Sequence, residues 1–529
     1  MAFTYGYQII VLHAHLPYVR HKGYDPHFLE EIWLNEAINE TYIPLIQSFR
    51  NLKREGVKFK ITMSFTPTLV SMLKDKYLQD NYLAYINRQI ELANKEVKRT
   101  TYDSHLNYLS KYYLEKFENN KKLFLELEED IIAGFKEFQK EGYLEVITCS
   151  ATHGFLPLLE SEPSTIRAQL SLGRRLHRQT WGVEPRGIWL PECGYYKGLE
   201  NYLADEGFRY FFVDSHGVKN AVPRPKFGIY APVEIGSGVF AFPRDPESSS
   251  QVWSAKEGYP GDYRYREYYR DIGYDLDYEY IKDYVHPTGI RLNTGIKYYR
   301  ITGKSNHKDY YHPDWALEAA GNHAEDFLRS RIAQAKRVFS EEKQPPVIVS
   351  PYDAELYGHW WYEGPVFLEY LFKKMHFDQN QIAPIHPLQV LGIIPRIQSV
   401  EMDMSSWGEG GYADVWLNPT NEWIYKHVME CTVSIHEEVH KFWKTSSEVK
   451  QRILKQMSRE VLLLQSSDWP FIMKTGTMTE YAKKRIKVHT NLYLELKTML
   501  HREDISLERL KQIEDEHPIF PDIQYEIFA

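Results

Sequence analysis

Seven short apolar runs, most of them finishing on a side chain that can carry charge, constrain what this chain can fold into more than any other feature. They are YQIIVLHAH (7 to 15), KFKITMSFT (58 to 66), LEVITCSATH (144 to 153), GIWLPE (187 to 192), FRYFFVDSH (208 to 216), VFAFPRD (239 to 245) and VIVSPYD (347 to 353). Helical segments separate them, and this alternation predicts parallel strands joined by crossovers. Their near-continuous hydrophobicity predicts cover on both faces, as in a barrel or a doubly wound sheet. The polar ends are His13 and His15, His153, Glu192, Asp214 and His216, Arg244 and Asp245, and Asp353. In a β/α barrel the C-terminal strand ends surround one site, so a repeated polar end reads as an active-site ring.

Two connections are too long for simple crossovers. Residues 67–142 are charged, rich in tyrosine and helical in pattern, which predicts a mainly helical insertion domain on the active face. A loop from Pro246 to about Gly273 carries Gly-Tyr-Pro-Gly at its middle, where Gly258 and Gly261 permit a positive φ and Pro260 stiffens the tip. Beyond about residue 420 the period becomes helical, with Val449, Ile453, Met457, Val461 and Leu464 on one face. The expected organisation is a catalytic barrel over 1–400 and a C-terminal helical domain over 401–529 that contributes to the substrate cleft.

A net charge of −8 with dispersed basic residues argues against nucleic acid or an acidic membrane surface as partner. No apolar run reaches the ~18 residues of a membrane span, and the first residues lack a secretory pattern, so a cytoplasmic location is expected. Cys149, Cys193 and Cys431 are too few and too scattered for a disulfide framework or a thiolate metal site. Aromatic residues make up 15% of the chain, many of them in polar loops. Rings with polar tips suit a sugar, which offers a C–H face for stacking and hydroxyls for hydrogen bonding.

Glu192 ends an apolar run, and a carboxylate placed there must be paired, hydrated or used. A strand-end ion pair would explain it alone. With Asp353 at another strand end it forms a carboxylate pair of the kind that cleaves glycosidic bonds, and the retaining geometry would place the two roughly 5 to 7 Å apart. Glu355, His359, Trp360 and Trp361 follow Asp353 closely. His13 and His15 share a strand face, which permits zinc or iron ligation, although sugar-binding histidines need the same placement. A metal-dependent carbohydrate deacetylase is therefore a rival. Trp407, Trp416 and Trp423 lie in or just after a glycine-rich segment, and Trp423 is expected to pack between domains.

With HAHLPYVR, EVITCSATHGFLP, GIWLPECGY, VSPYDAELYGHWWYEG and WGEGGYADVWLN in order, the chain resembles glycoside hydrolase family 57. Within that family it is similar to the 1,4-α-glucan branching enzymes, through QVWSAKEGYPGD and the WGEGGY segment. The resemblance implies an α/β fold, an incomplete (β/α)7 barrel with a helical insertion domain and a C-terminal all-helical domain. It implies a retaining enzyme acting on amylose, amylopectin or glycogen without cofactor or metal, with Glu192 as nucleophile and Asp353 as general acid/base. His13, His15 and His153 would bind the sugar nearest the cut. Trp33, Trp407 and Trp416 would be stacking platforms, Tyr259 the tip of a mobile loop, and Asp468 a site residue from the helical domain. An α-amylase or a 4-α-glucanotransferase of the same family is the alternative.

Overall fold

The computed structural model describes residues 4–23, 29–254, 257–394 and 396–529. Among these, nine strands form one sheet: β1 (Gly6–Ala14), β2 (Ile61–Phe65), β3 (Leu144–Cys149), β4 (Gly187–Trp189), β5 (Tyr210–Val213), β6 (Val233–Glu234), β7 (Phe240–Pro243), β8 (Val347–Asp353) and β9 (Ile382–Pro384). The seven expected runs supply seven consecutive parallel strands, in the order β7-β5-β4-β3-β2-β1-β8. β6 adds an antiparallel edge to β7, and β9 pairs with β1. The sheet curls far enough for the Asp245 N–H, just past β7, to donate to the Val349 carbonyl of β8 at 2.8 Å. An incomplete barrel results.

Strand parity explains the two packed layers. Ile9, Val11, Ile147, Cys149, Trp189, Tyr210, Phe212, Phe242, Val347 and Val349 fill the interior, while Ile10, Leu12, Ile188, Phe211 and Ile348 join the outer layer under the helices. Side chains alternate with period two, so the next odd positions, His13 on β1 and Asp353 on β8, continue the interior file to its C-terminal rim. These two are register partners.

Residues 67–142 form the helices Pro67–Leu73, Lys76–Arg99, Ser104–Glu126 and Ile131–Lys140. Lys76–Arg99 and Ser104–Glu126 pack against each other and receive residues 280–311: the Tyr113 hydroxyl donates to the Lys297 carbonyl, and the Tyr280 and Tyr298 hydroxyls donate to Glu96. The C-terminal part is helical, including Trp423–Lys441, Glu448–Leu464, Asp468–Thr475 and Thr479–Leu500. It reaches the barrel rim through the Ser467 N–H, which donates to the His153 carbonyl at 2.9 Å.

Helix Pro163–Trp181 lies close over β3 because Gly173 has no side chain. A Cβ there would stand 2.3 Å from the Cys149 carbonyl oxygen. Alanine normally stabilises a helix interior by about 1 kcal/mol over glycine. Here backbone must move, so Gly173→Ala is expected to destabilise by about 1–3 kcal/mol; a denaturant midpoint equal to or above the parent's would show that the helix shifts freely.

Candidate active site

Glu192 enters the cleft through strained backbone rather than strand parity. It has φ 61°, ψ 23°, and Cys193 and His153 are also at positive φ, at 53° and 59°. A non-glycine residue held in the left-handed region costs of order 1–3 kcal/mol, and such residues gather at functional sites. Residues 405–407 run beside this turn: Tyr195 and Ser405 exchange backbone hydrogen bonds, and the Trp407 N–H donates to the Glu192 carbonyl at 3.0 Å. The same tryptophan's Nε1 donates to Glu192 Oε2 at 2.8 Å, and Ser467 Oγ donates to Oε1 at 3.2 Å. Both carboxylate oxygens thus face donors. Burial nevertheless lifts this carboxyl to about 7; the Trp407 hydrogen bond opposes the shift and Asp353 adds to it.

Asp353 differs in its partners. Among the described residues nothing forms a hydrogen bond or ion pair with it, which leaves its oxygens open to the cleft. Solvent reaches it at the rim, yet the enclosing protein displaces bulk water and lifts the carboxyl to about 6, with His15 and Arg244 pulling the other way. The two donors favour the Glu192 anion but only partly offset its desolvation, so Glu192 stays the higher of the pair. A carboxylate with free oxygens can pass a proton to and from a ligand.

The three histidines form a stacked array, with His15 and His153 centroids 3.8 Å apart and His13 packed on Trp189 at 4.8 Å. Ser64 and Thr66 hold the Nδ1 atoms of His13 and His15 at 3.2 and 3.0 Å. His13 and His153 share a hydrogen bond between their Nε2 atoms at 3.0 Å, and burial lowers both pKa values, so both rings are neutral. Burial would lower His15 too, but Asp468 at 3.1 Å outweighs it and raises this histidine. Asp468 is reciprocally held down at about 2, the His15 charge and hydrogen bond overcoming its desolvation. Two neutral rings and one ion pair line one wall.

Ligand atoms of His15, His153 and Asp468 lie close enough together to hold a metal ion. Each of these groups already has a protein partner: His15 pairs with Asp468, and His153 contacts Ser467 Oγ at 2.8 Å and His13 on its other nitrogen.

Several expectations need correction. Trp416 is 1% exposed and stacks on Phe155 at 4.2 Å, so its ring offers no face to a sugar in this conformation. The packing role expected of Trp423 belongs to Trp416 instead; Trp423 is 36% exposed at a helix start. Tyr259 is folded back rather than presented at a loop tip. Its ring stacks on His323 at 4.5 Å, and its hydroxyl donates to Asp326 at 2.7 Å, on helix Pro313–Glu342. Gly258 has φ −71°, and its glycine is required by a 2.4 Å approach of a Cβ to the Ser254 carbonyl rather than by a positive φ. Residues 255–256 of this loop lie outside the described residues. Trp33 is half-buried, edge-on to Tyr481 at 5.9 Å.

Sequence reading missed Ser467, Ser64 and Thr66. The register of His13 on Ser64 carries a signal, since alternate residues of ITMSFT fall beside alternate residues of VLHAH. It also missed the π turn Ile38–Tyr42. There Glu40 pairs with Arg266 and His359, and the Tyr42 hydroxyl donates to Glu355 at 2.5 Å. Wide turns of this kind frequently serve functional sites.

Glu192 has a raised pKa in the folded chain, so its effect on stability appears as pH rises. Below the ordinary value of 4.5 both states are protonated; between there and about 7 only the unfolded chain ionises, and above about 7 the full penalty of about 3 kcal/mol applies. Glu192→Gln removes that charge while keeping the volume and one acceptor. It should abolish turnover and yet raise Tm at pH 8, with the gap closing toward pH 4; a gap independent of pH would refute the desolvation argument.

A family model described as glycosyl hydrolase family 57 matches residues 9–403, and one described as the 1,4-α-glucan branching enzyme C-terminal region matches 427–528. A curated 1,4-α-glucan branching enzyme of Thermococcus kodakarensis is 34% identical, over 94% of this chain and 74% of its own length. Among solved structures, the α-amylase AmyC of Thermotoga maritima is 46% identical with TM-score 0.93 over 99% of both chains. A branching enzyme of this family from Pyrococcus horikoshii is 32% identical with TM-score 0.89, over 99% of this chain and 97% of its own. The matched span, the half-barrel sheet and the paired carboxylates agree: this chain belongs to glycosyl hydrolase family 57.

Proposed function

We propose that this protein is a 1,4-α-glucan branching enzyme working by retaining double displacement, and that Glu192 is its nucleophile and Asp353 its general acid/base. The observation that carries the assignment is the asymmetry of the pair: Trp407 and Ser467 donate to both Glu192 oxygens, while among the described residues nothing engages those of Asp353. Glu192 attacks the anomeric carbon of an α-1,4-linked unit as Asp353 protonates the departing oxygen, giving a glycosyl-enzyme. Asp353, now a base, takes the proton from the 6-hydroxyl of a second chain, whose oxygen displaces Glu192 and leaves an α-1,6 branch. The stacked rings of His13, His15 and His153 form the wall beside the sugar at the cut; since each ring nitrogen already meets a protein partner, a sugar hydroxyl bonds there by displacing one of them, and Trp407 orients Glu192 while contributing to the aromatic wall. The reading supplies every proton from side chains and calls for no metal or cofactor. No described helix is long and apolar enough to cross a membrane.

Hydrolysis is the second reading, and two observations favour it: the 46%-identical structure is that of an α-amylase, and Tyr259 is docked away on helix Pro313–Glu342, leaving the glycosyl-enzyme open to water at ~55 M. Transfer requires something to shield that intermediate. If Tyr259 leaves Asp326 and closes the cleft, Tyr259→Ala should lower the ratio of branches formed to reducing ends released several-fold on amylose. Debranching with chain-length analysis, run beside a reducing-end assay, measures it. An unchanged ratio would make Tyr259 a fastener of the loop alone.

The pair also fixes a pH dependence. Turnover needs one proton shared over two carboxyls raised to about 7 and about 6, so kcat/KM should peak between those values and fall on both sides. Trp407→Phe removes a donor that stabilises the Glu192 anion and so raises the higher of the two values, which moves the basic limb to higher pH and lowers the peak. A limb that stays in place would show that Trp407 does not set the ionisation of Glu192.

A further inference from the structure

A second cavity, with mainly apolar walls and a few polar groups, lies apart from the two carboxylates, between helices Glu31–Ala37 and Lys76–Arg99 and the segment 284–293; its volume is about 270 Å³. Along Lys76–Arg99 it is lined by one helical stripe of Asn81, Tyr85, Arg88 and Gln89. On Glu31–Ala37 it takes Glu31 and Asn35, each two residues from Trp33 and so on the opposite side of that helix from the ring that meets Tyr481.

The lining carries hydrogen-bonding capacity that the protein does not use. Gln89 is 4% exposed, and its Oε1 is buried with no partner. The buried Asn35 amide and the half-buried Asn293 amide form no hydrogen bond with any described residue, and the exposed Arg88 guanidinium has no ion pair among those residues. Buried polar groups are usually satisfied, and among the enclosed side-chain atoms that are not, Gln89 Oε1 is the one that lines this cavity; with two unbonded amides beside it, it points to a ligand. Tyr85 and Tyr284 add ring surface.

The chemistry selects among ligands. A cation finds only Glu31, whose carboxylate already accepts from Asn81 Nδ2 at 3.1 Å and from the His21 N–H at 2.6 Å. An anion would face that same buried carboxylate with one exposed arginine in support, and an apolar ligand would strand three amides. A neutral ring with hydroxyls on its edge and C–H bonds on its face fits all of them. The volume, just below the ~300 Å³ lower end of ligand sites, holds a single sugar unit rather than a folded chain.

We propose that this cavity is an accessory subsite that holds one glucose unit of an α-glucan chain, separate from the catalytic cleft, with Asn35, Gln89 and Asn293 bonding its hydroxyls and Arg88 closing its mouth. The inference rests on the α-glucan reading. It gives the enzyme a second hold on a long chain, which raises effective concentration near the cleft without any new contact at the cut.

The test uses the full-length Glu192→Gln protein, which binds without turnover, titrated with maltoheptaose by calorimetry and followed by amide hydrogen exchange. Two classes of site are expected, with added protection in residues 81–89 and 284–293. Arg88→Ala with Asn293→Ala, both at solvent-accessible positions, should weaken one class about tenfold or more and leave the other intact. A single class unaffected by the double substitution, with no protection in those segments, overturns the subsite while the function stands. Binding nowhere would overturn both. Glucose alone filling the second class as tightly as maltoheptaose would overturn the assignment to a chain in favour of a free sugar.

Discussion

The structure turns on one desolvated carboxylate held by two distant parts of the chain. Glu192 sits in a left-handed turn that its own strand cannot stabilise. Trp407 secures it through backbone and side chain together, and Ser467 approaches from the helical part. Ser467 also contacts His153, and His153 reaches His13 on β1, which is in register with Asp353 on β8. A path of short contacts therefore joins both carboxylates through the histidines. Removing the C-terminal helices would take away Ser467 and Asp468 at once and leave a buried acid beside two neutral imidazoles.

The sequence made the sheet legible because both faces of each strand are covered, and such strands read as apolar runs with polar ends. His13, His15 and Asp353 followed from parity alone. β6 and β9 were not legible: two or three residues give no periodicity, and their pairing depends on neighbours far along the chain. Trp416 and Tyr259 were placed wrongly for a related reason. A tryptophan among glycines and a tyrosine between Gly258 and Gly261 read as exposed, yet exposure is decided by whether a partner surface waits nearby. Phe155 waits for the first, and His323 with Asp326 for the second. The motif resemblance located these residues in the chain without locating their rings in space.

The Tyr259 contacts bear on how a transferase and a hydrolase can share one scaffold. In its docked position the tyrosine makes hydrogen bonds to Asp326 and Gln251 and one ring stack. Each such hydrogen bond contributes about 0.5–1.5 kcal/mol net, and a ring pair adds a similar amount. The docked position of Tyr259 is thus worth a few kcal/mol, which, on the gating role proposed for it, is within reach of the binding energy of a second glucan chain. Small changes at residues 323 and 326, remote from the carboxylates, could shift the balance between water and sugar as acceptor without altering the bond that is cut.

The charge distribution favours the transition state over the neutral substrate. Four acids face the cleft, Glu192, Asp353, Glu355 and Asp468, against Arg244, itself paired with Asp214, and His15, whose protonated form Asp468 favours. Three of these acids have pKa values raised by burial, to about 7, 6 and 7, so the resting site resists full ionisation and is short of positive charge. A bound sugar is uncharged and relieves little of this. Positive charge growing on the anomeric carbon and ring oxygen relieves it directly, in a place where water has been displaced and the field is weakly screened. The same desolvation that costs the folded chain stability at high pH therefore becomes, at the moment of bond cleavage, a stabilising interaction that the ground state does not feel.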